Sequence, residues 1–408
     1  MGKYNYDKKA LKGLGVGAFL GEVKTRNAVI DAAPDTMPRS IYNVNRLAKA
    51  LHPDVQFARV AKITDHGDAK SFVLVPNREK GTEALAYFRA GQYVSLALEI
   101  GGATVCKPYS LRSDPKDALG SENTSYTLTV RHSKNGFASE YILDNWQEGT
   151  EVMLSEPLGN FYYQGLRDAK QVVALAGGSG ITPFFSMASA VADGIEDFDL
   201  TILYGSRTRD TILLREELEA VCARSSGRIK VVHVLSDEEC EGYEHGFLTA
   251  ELVKKYAPAG DYSVFVCGPK AMYAFVEPEV AKLGLPRRRV RFELSGEFGD
   301  PAQDKAYPAE AAGKTYQITV WVRGESHVVP CRAEQTLLQA MEQGGIRAPS
   351  DCRSGQCGWC HSLLLAGDVF IPESRDGRRE ADRKFGWIHP CSSYPLSDVT
   401  LEVPTLEK

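Results

Sequence analysis

A chain of 408 residues exceeds what one ordinary hydrophobic core supports, so two to four domains are expected. Hydrophobic residues make up 43% and charged residues 25%, with no biased tract, which is the composition of a globular protein. The formal net charge of −5 argues against nucleic acid as a partner, because its binders usually present a strongly basic face.

The opening residues, MGKYNYDKKALKGLGVGAFLGEVKTRN, hold only a short, glycine-interrupted apolar stretch at 14–20, with no small-residue cleavage site behind it. No run approaches the roughly 20 apolar residues of a membrane helix, so a cytoplasmic protein without a membrane span is expected. Residues 1–54 form an extension with Lys3, Lys8, Lys9 and Lys12 and helix-like pieces around 42–51. It reads either as an arm packed on the main body or as a docking segment for a partner. From 55 to 165, strand candidates at 72–76, 92–98, 126–132 and 151–155 are divided by turn signals, which predicts a small antiparallel β-barrel. Between 166 and 299, near-continuous apolar runs at 171–176, 200–204, 229–235 and 263–267 each precede a turn and a helix-length segment, and 290–294 offers a further strand. Runs buried on both faces and alternating with helices predict a doubly wound parallel α/β sheet. Residues 300–313, DPAQDKAYPAEAAG, read as a linker. In 314–408 an alternating strand at 316–322, a short helix at 334–342, a cysteine-rich loop and a last strand at 398–403 predict a compact third domain.

Nine cysteines is an odd number, and four of them crowd the C-terminal region. That points to metal ligation in a reducing compartment rather than to a secreted disulfide framework. Cys352, Cys357 and Cys360 stand in C-x4-C-x2-C order with Cys391 after a long gap, the plant-type [2Fe–2S] spacing. Ser354, Gly355 and Gly358 let the backbone wrap closely and aim amides at the sulfurs. Zinc, the rival, usually takes two short C-x2-4-C pairs, and here the fourth cysteine stands alone. The stretches APSDCRSGQCGWCHSLLLAGDV and WIHPCSSYPLSDVTLEVP resemble the plant-type ferredoxins and the ferredoxin domains fused to reductases. The resemblance implies a β-grasp fold around a one-electron centre. Cys331 reads as a core filler, Trp359 as a shield for the centre, and His361 as a residue in reach of a sulfur or simply structural.

Residues 174–183, ALAGGSGITP, join a buried strand to a helix. Glycines there permit close approach of a ligand, the helix start offers free N–H groups to a pyrophosphate, and Pro183 suits a first helical turn. The run is not G-x-G-x-x-G, and a ligand-free tight turn accounts for it too. YGSRTRDTILLREEL and VCGPKAM follow, however, and together the three resemble the ferredoxin–NADP reductase superfamily in that family's order. The resemblance implies a pyrophosphate on Gly177, Gly178, Ser179, Gly180, Ile181, Thr182 and Pro183. It implies the adenosine ribose near Ser206 and Arg207, and the nicotinamide beside Cys267, Gly268, Pro269 and Met272. Arg207 and Arg209 either pair with the 2′-phosphate of NADPH or are solvated loop charges, so NADH and NADPH both stay open.

Lys107, Pro108, Tyr109 and Ser110 resemble the same family's R-x-Y-S flavin motif. By that resemblance Tyr109 lies against the isoalloxazine, Ser110 hydrogen-bonds near its N5, and Lys107 meets the flavin phosphate. Lys in place of the usual Arg keeps the charge but gives up the planar fork. The segment VRHSKNGFAS, with Val130, Arg131, His132, Gly136, Phe137, Ala138 and Ser139, resembles the turn and helix start that hold the flavin pyrophosphate. This implies FAD, with FMN, used by some members with a C-terminal ferredoxin domain, as the alternative. EPLGNF at 156–161 resembles the turn closing the flavin domain, and Glu293 stands where relatives often carry an acid near the nicotinamide. Each also fits a plain structural reading, as do His132 and His233, which lack ligand spacing.

The resemblance covers 55–408 in the order flavin, nicotinamide, ferredoxin, and implies an NAD(P)H:acceptor oxidoreductase. Hydride passes to the flavin, with Tyr109, Ser110 and Cys267 at the reacting rings, and electrons move singly to the cluster. Hydride transfer needs stacking and orientation, and no nucleophile or general base is required. The expected acceptor is a partner redox protein: an oxygenase, hydroxylase, demethylase or anaerobic reductase component. The alternatives are a self-contained flavoenzyme reducing a quinone or ferric complex, and an electron-wiring or redox-sensing subunit of a fixed complex.

Overall fold

The computed structural model of the chain describes residues 16–32, 44, 47, 51–101, 103–120, 122–133, 137–293 and 299–404. It divides into two units, Met1–Ala50 and Leu51–Lys408. In the first, helix α1 spans Val16–Asp31. The helix-like pieces expected around 42–51 lie largely outside the described residues. Among the described residues no helix is long and apolar enough to cross a membrane.

The second unit contains three sheets in succession. Strands β1 (Gln56–Asp65), β2 (Ala69–Pro76), β3 (Tyr93–Ile100), β4 (Ala103–Ser110), β5 (Tyr126–Arg131) and β6 (Glu151–Leu154) form the first, in the order β4-β3-β6-β1-β2-β5, with every pairing antiparallel. Alternate side chains turn inward: Phe72 and Leu74 on β2, Val94, Leu96 and Leu98 on β3, Leu128 and Val130 on β5. They pack with Ile142 of helix α2 (Phe137–Asn145) and with Trp146 just beyond it, whose ring meets Phe72 edge-on at 5.2 Å. Each such fully buried side chain contributes about 1.5–3 kcal/mol. Past β4, Arg112 N donates to Thr127 O at 2.8 Å, so the two edge strands approach and the sheet curls into a half-barrel. Strand β4 escapes a pattern search because Pro108 interrupts it. As the end strand of the sheet it tolerates a residue with no N–H to give.

The second sheet holds β7 (Gln171–Gly177), β8 (Asp199–Ser206), β9 (Ile229–Leu235), β10 (Glu244–His245), β11 (Ser263–Cys267) and β12 (Val290–Phe292). All are parallel, in the order β10-β9-β8-β7-β11-β12. Helices α3 (Ile181–Ala192), α4 (Arg215–Ala223), α5 (Ala250–Tyr256) and α6 (Lys270–Ala281) connect them. The strand order reverses between β7 and β11, which opens a crevice at their C-terminal ends, the place where such sheets take ligands. A buried ion pair ties this sheet to the segment that leads into it from the first. Arg291 of β12 grips Asp168 through two bonds of 3.0 and 2.6 Å and donates to Asn160 O and Tyr162 O at 2.8 and 2.7 Å. Both side chains are under 5% exposed, so removing either partner strands a buried charge, at a cost of about 3–5 kcal/mol.

The third sheet combines β13 (Thr315–Val322), β14 (Glu325–Arg332), β15 (Ser362–Ala366), β17 (Trp387–Ile388) and β19 (Val399–Glu402), in the order β14-β13-β19-β15-β17; β16 (Val369–Phe370) and β18 (Tyr394–Pro395) pair separately. Only β13 and β19 run parallel, and helix α7 (Leu337–Gln343) packs across them: a β-grasp. Helix α7 starts later than the sequence suggests, because Thr336 and Gln339 form a reciprocal capping box. A short helix α8 (Glu380–Lys384) precedes β17. The stretch read as a linker is pinned down as well: Tyr307 is 7% exposed, donates to Ala333 O at 3.1 Å and meets Phe370 edge-on.

Candidate active site

Cys352, Cys357 and Cys360 lie in the loop between α7 and β15, and Cys391 joins them from the turn between β17 and β18. Cys352, Cys360 and Cys391 are buried and Cys357 is exposed. The sulfurs of Cys360 and Cys391 lie 3.3 Å apart, and Cys352 touches the thiols of both Cys357 and Cys391, so the four form one connected set. Backbone amides converge on them. Ser354 N and Cys357 N each donate to Cys352 Sγ at 3.4 Å, Gly355 N to Cys391 Sγ at 3.3 Å, and Trp359 N to Cys357 Sγ at 3.4 Å. The Cys357 and Cys391 thiols hold Cys352 far below the ordinary thiol range, while Cys352 pushes Cys357 and Cys391 upward. Four adjacent sulfurs cannot all ionise without a positive centre among them. Among the described residues no three His, Cys, Asp or Glu side chains are arranged to hold a single ion. The sulfur set suits a binuclear iron–sulfur centre, for which four thiolates are the full complement.

Gly355, at φ +78°, allows the loop to wrap, since a Cβ there would run into Arg375 O. His361 stacks on Trp387 at 4.3 Å and bonds Asp382 Oδ1 at 3.1 Å, so its contacts are structural. His389 Nδ1 donates to Gly355 O at 2.7 Å. Trp359, read as a shield, is 58% exposed and leaves Cys357 accessible; Cys331 is fully buried in the core.

Arg353 is a participant that sequence reasoning missed. It has φ +53° and a fully buried side chain, which pairs with Glu342 of α7 at 2.5 and 2.8 Å. It also donates to Cys106 O at 3.1 Å, on the first sheet. The residue after a cluster cysteine thus touches the residue before Lys107. Arginine beside a ligand carries no signal in the sequence for so distant a partner.

A cavity of about 690 Å³ opens at this junction. Lys107 and Tyr109 of β4, Ser133, and Phe137, Ala138 and Ser139 at the start of α2 line it, together with Lys270 of α6 and part of the third domain. Burial pushes the Tyr109 hydroxyl well above its ordinary range, so it stays neutral. Aromatic surface beside two ammonium groups suits a planar ring that carries a phosphate. Pro108 and Ser110 alternate to the other side of the pleat and do not line the cavity. Val130 is core, which leaves only its backbone available; Arg131 pairs with Asp68 at 2.7 Å; His132 is exposed near Glu140. Gly136 lies outside the described residues.

At the crevice of the parallel sheet, the turns after β7 and β11 touch. A Cβ on Gly180 would collide with the Cys267 carbonyl, and one on Gly177 with Met272 Sδ. Part of the glycine signal is therefore packing between the two turns. Ile181, Thr182 and Pro183 are buried, and Thr182 Oγ1 closes the turn on Ser179 O at 3.0 Å, while Ser179 itself faces outward. Gly268 N donates to Tyr273 Oη at 3.3 Å, and Pro269 caps α6. The Cys267 thiol is raised by burial and stays protonated. At the end of β8, Ser206 Oγ sits beside the Tyr204 hydroxyl, which is engaged with Gly178 O and Leu213 O. A hydroxyl at a strand end in this crevice suits a ribose. Arg207 is exposed, 3.8 Å from Asp237, and Glu238 accepts from Arg209 N at 2.8 Å. Glu293, at the end of β12, is pushed up to about 8, first by burial and then by the charge of Cys352. Tyr93 of β3 feels both Cys352 and Glu293, so all three domains converge here.

Three family descriptions match the chain in succession. "Oxidoreductase FAD-binding domain" covers residues 68–163, "Oxidoreductase NAD-binding domain" 174–278, and "2Fe-2S iron-sulfur cluster binding domain" 320–396. The ferredoxin reductase component of 3-ketosteroid-9-alpha-monooxygenase from Mycobacterium tuberculosis is 32% identical over 85% of this chain and 94% of that protein. The glycine betaine monooxygenase reductase subunit of Chromohalobacter salexigens is 28% identical over 84% and 94%. Among solved structures, phthalate dioxygenase reductase, described as a modular structure for electron transfer from pyridine nucleotides to [2Fe–2S], matches with a TM-score of 0.58 at 25% identity. It covers 86% of this chain and 98% of that one.

Proposed function

We propose, since the chain belongs to the family of ferredoxin reductase components that join an FAD domain, an NAD domain and a C-terminal [2Fe–2S] domain, that it feeds electrons from NADH to a separate oxygenase-type redox protein. The chain is an NAD(P)H oxidoreductase. Nine free thiols favour the reducing cytoplasm. We assign 55–165 to the flavin, 166–299 to the nicotinamide and 314–408 to the cluster, with 300–313 connecting and 1–54 as an extension.

When bound, FAD accepts the hydride of NAD(P)H and releases its electrons singly to the [2Fe–2S] cluster. The side chains serve binding and exclusion. Lys107, Lys270 and the first amides of α2 are assigned to the flavin phosphates, and the neutral Tyr109 phenol to a face of the ring. Gly177–Thr182 and Ser206 are assigned to the dinucleotide, beside the protonated Cys267 thiol. Cys352, Cys357, Cys360 and Cys391 are assigned to the cluster, with four backbone N–H groups balancing the charge on sulfur. NADH is favoured over NADPH by the acidic turn Asp237–Glu238 next to Ser206, since carboxylates repel a 2′-phosphate. The observation that carries the reading is the Arg353 bond to Cys106 O, which sets the cluster loop against the flavin strand.

The test compares the wild type with Cys391→Ser, under NADH, with ferricyanide and with cytochrome c as a one-electron protein probe. Ferricyanide reduction should survive the substitution and cytochrome c reduction should fall at least tenfold. Undiminished cytochrome c reduction would mean that electrons leave without passing the cluster, and would overturn the reading.

A further inference from the structure

The cavity beside Tyr109 takes part of its lining from the third domain. Gln335, Gln339 and Gln343 belong to that part, with Arg332 and Glu342 beside them. Gln339 and Gln343, four residues apart, share one face of α7, and Gln335 stands just before its Thr336 cap, while Leu337, Leu338 and Met341 fill the core behind. The amides are pre-arranged: Gln335 Nε2 donates to Gln343 Oε1 at 2.6 Å, and Gln339 serves the Thr336 cap. Phe137, 58% exposed, lines the same cavity.

We propose that the amide cluster at α7 is part of the FAD site and receives the adenosine half of FAD, so that the cluster domain helps select FAD over FMN. The inference rests on the flavin assignment above. If Tyr109 and Lys107 take the ring and the first phosphate, the adenosine half of FAD falls to the remaining lining of the same cavity, which the glutamines and Phe137 supply. A primary amide both donates and accepts, which matches the N6 and N7 edge of adenine, and an exposed phenyl ring offers it a stacking surface. Glutamines also suit a neutral base better than a bare phosphate, which would call for further cations. One consequence is linkage. A ligand that touches both domains strengthens their docking as much as the docking strengthens its binding. FMN, lacking the adenosine, would not connect the two.

The experiment uses the full chain stripped of flavin with its cluster intact, comparing the wild type with the double variant Gln339→Ala, Gln343→Ala by flavin-fluorescence titration. Losing two amide contacts should raise the Kd for FAD about tenfold and leave that for FMN unchanged. An unchanged Kd for FAD, or an equal loss for both flavins, overturns the proposal. Should the variant fail to fold, amide exchange on the wild type decides: FAD but not FMN should slow exchange across 335–343, and equal protection by the two overturns it. A wild-type chain that binds neither flavin overturns the functional reading itself, and not the wall alone.

Discussion

The four-sulfur loop and the cavity assigned to the flavin lie side by side but are built in opposite ways. The loop draws three of its sulfurs and all four of its N–H donors from residues 352–360, and one sulfur from Cys391. The cavity draws its walls from β4, the start of α2, the start of α6 and the glutamines at α7. A site made from one stretch of chain is written as spacing, because the geometry of the loop is the geometry of the sequence. A site made from four elements exists only once three domains have docked. Such a site stands or falls with the contacts between domains.

Arg353 is where the two constructions meet, so its loss should have the largest effect. Arg353→Ala leaves Glu342 buried without its partner, at a cost of about 3–5 kcal/mol. It also removes the hydrogen bond to Cys106 O. Replacing the pair together, Arg353→Met with Glu342→Leu, should recover most of the stability, because packed apolar groups avoid the desolvation of two charges. Thermal melts should separate the two variants. Stopped-flow transfer from flavin to cluster should stay slowed in both, because neither restores the bond to β4. If the double variant transfers at the wild-type rate, the bond to Cys106 O does not hold the domains in register.

The same contrast explains what the sequence made legible. C-x4-C-x2-C with Cys391 was readable because thiolate spacing is local chemistry, and the parallel sheet was readable because its strands are continuous apolar runs. Strand β4 was hidden by Pro108, which only an edge strand tolerates. The K-P-Y-S motif therefore had no visible scaffold and rested on resemblance alone. Two of its residues, Lys107 and Tyr109, line the cavity, while Pro108 and Ser110 fall on the other side of the pleat. Gly177 and Gly180 were read as a phosphate cradle, and the structure adds a second cause, the packing of one turn on another. The Arg291–Asp168 pair and Arg353 left no trace in spacing, because each joins segments far apart in the chain.

Glu293 tests the convergence of the domains through pH. Its carboxyl is raised from 4.5 to about 8 by burial and by the charge of Cys352, so the folded state binds a proton that the unfolded state gives up earlier. The contribution to stability is whole below about pH 4.5 and drains away until the pH passes 8, at no more than about 1.4 kcal/mol per pH unit. With partial relaxation of the site, a net fall of roughly 2–4 kcal/mol is expected. Glu293→Gln removes the titration. Its melting temperature should fall less than that of the wild type between pH 5 and pH 8.5, and parallel curves would mean that the carboxyl reaches water in the folded protein.

The smallest effect is expected at the turn assigned to the ribose, where Arg207 and Asp237 are exposed. Ser206 and Asp237 come from neighbouring strand ends, β8 and β9, whose register brings Asp237 N to Arg207 O at 2.9 Å. This site is neither one loop nor three domains, but two adjacent turns of one sheet. A 2′-phosphate placed there would meet Asp237 and Glu238 on one side and Arg207 on the other, with Arg207 already 3.8 Å from Asp237. Exposed charges of this kind are worth about 0.2–1 kcal/mol each. Asp237→Asn with Glu238→Gln should therefore raise kcat/KM for NADPH about fivefold, since two such repulsions are relieved. The value for NADH should fall or hold, because a carboxylate that accepts from the ribose 2′-hydroxyl is lost without any repulsion being relieved. Arg207→Gln should move NADPH the opposite way and leave NADH alone. If neither substitution changes the ratio of the two donors, the ribose does not lie against this turn.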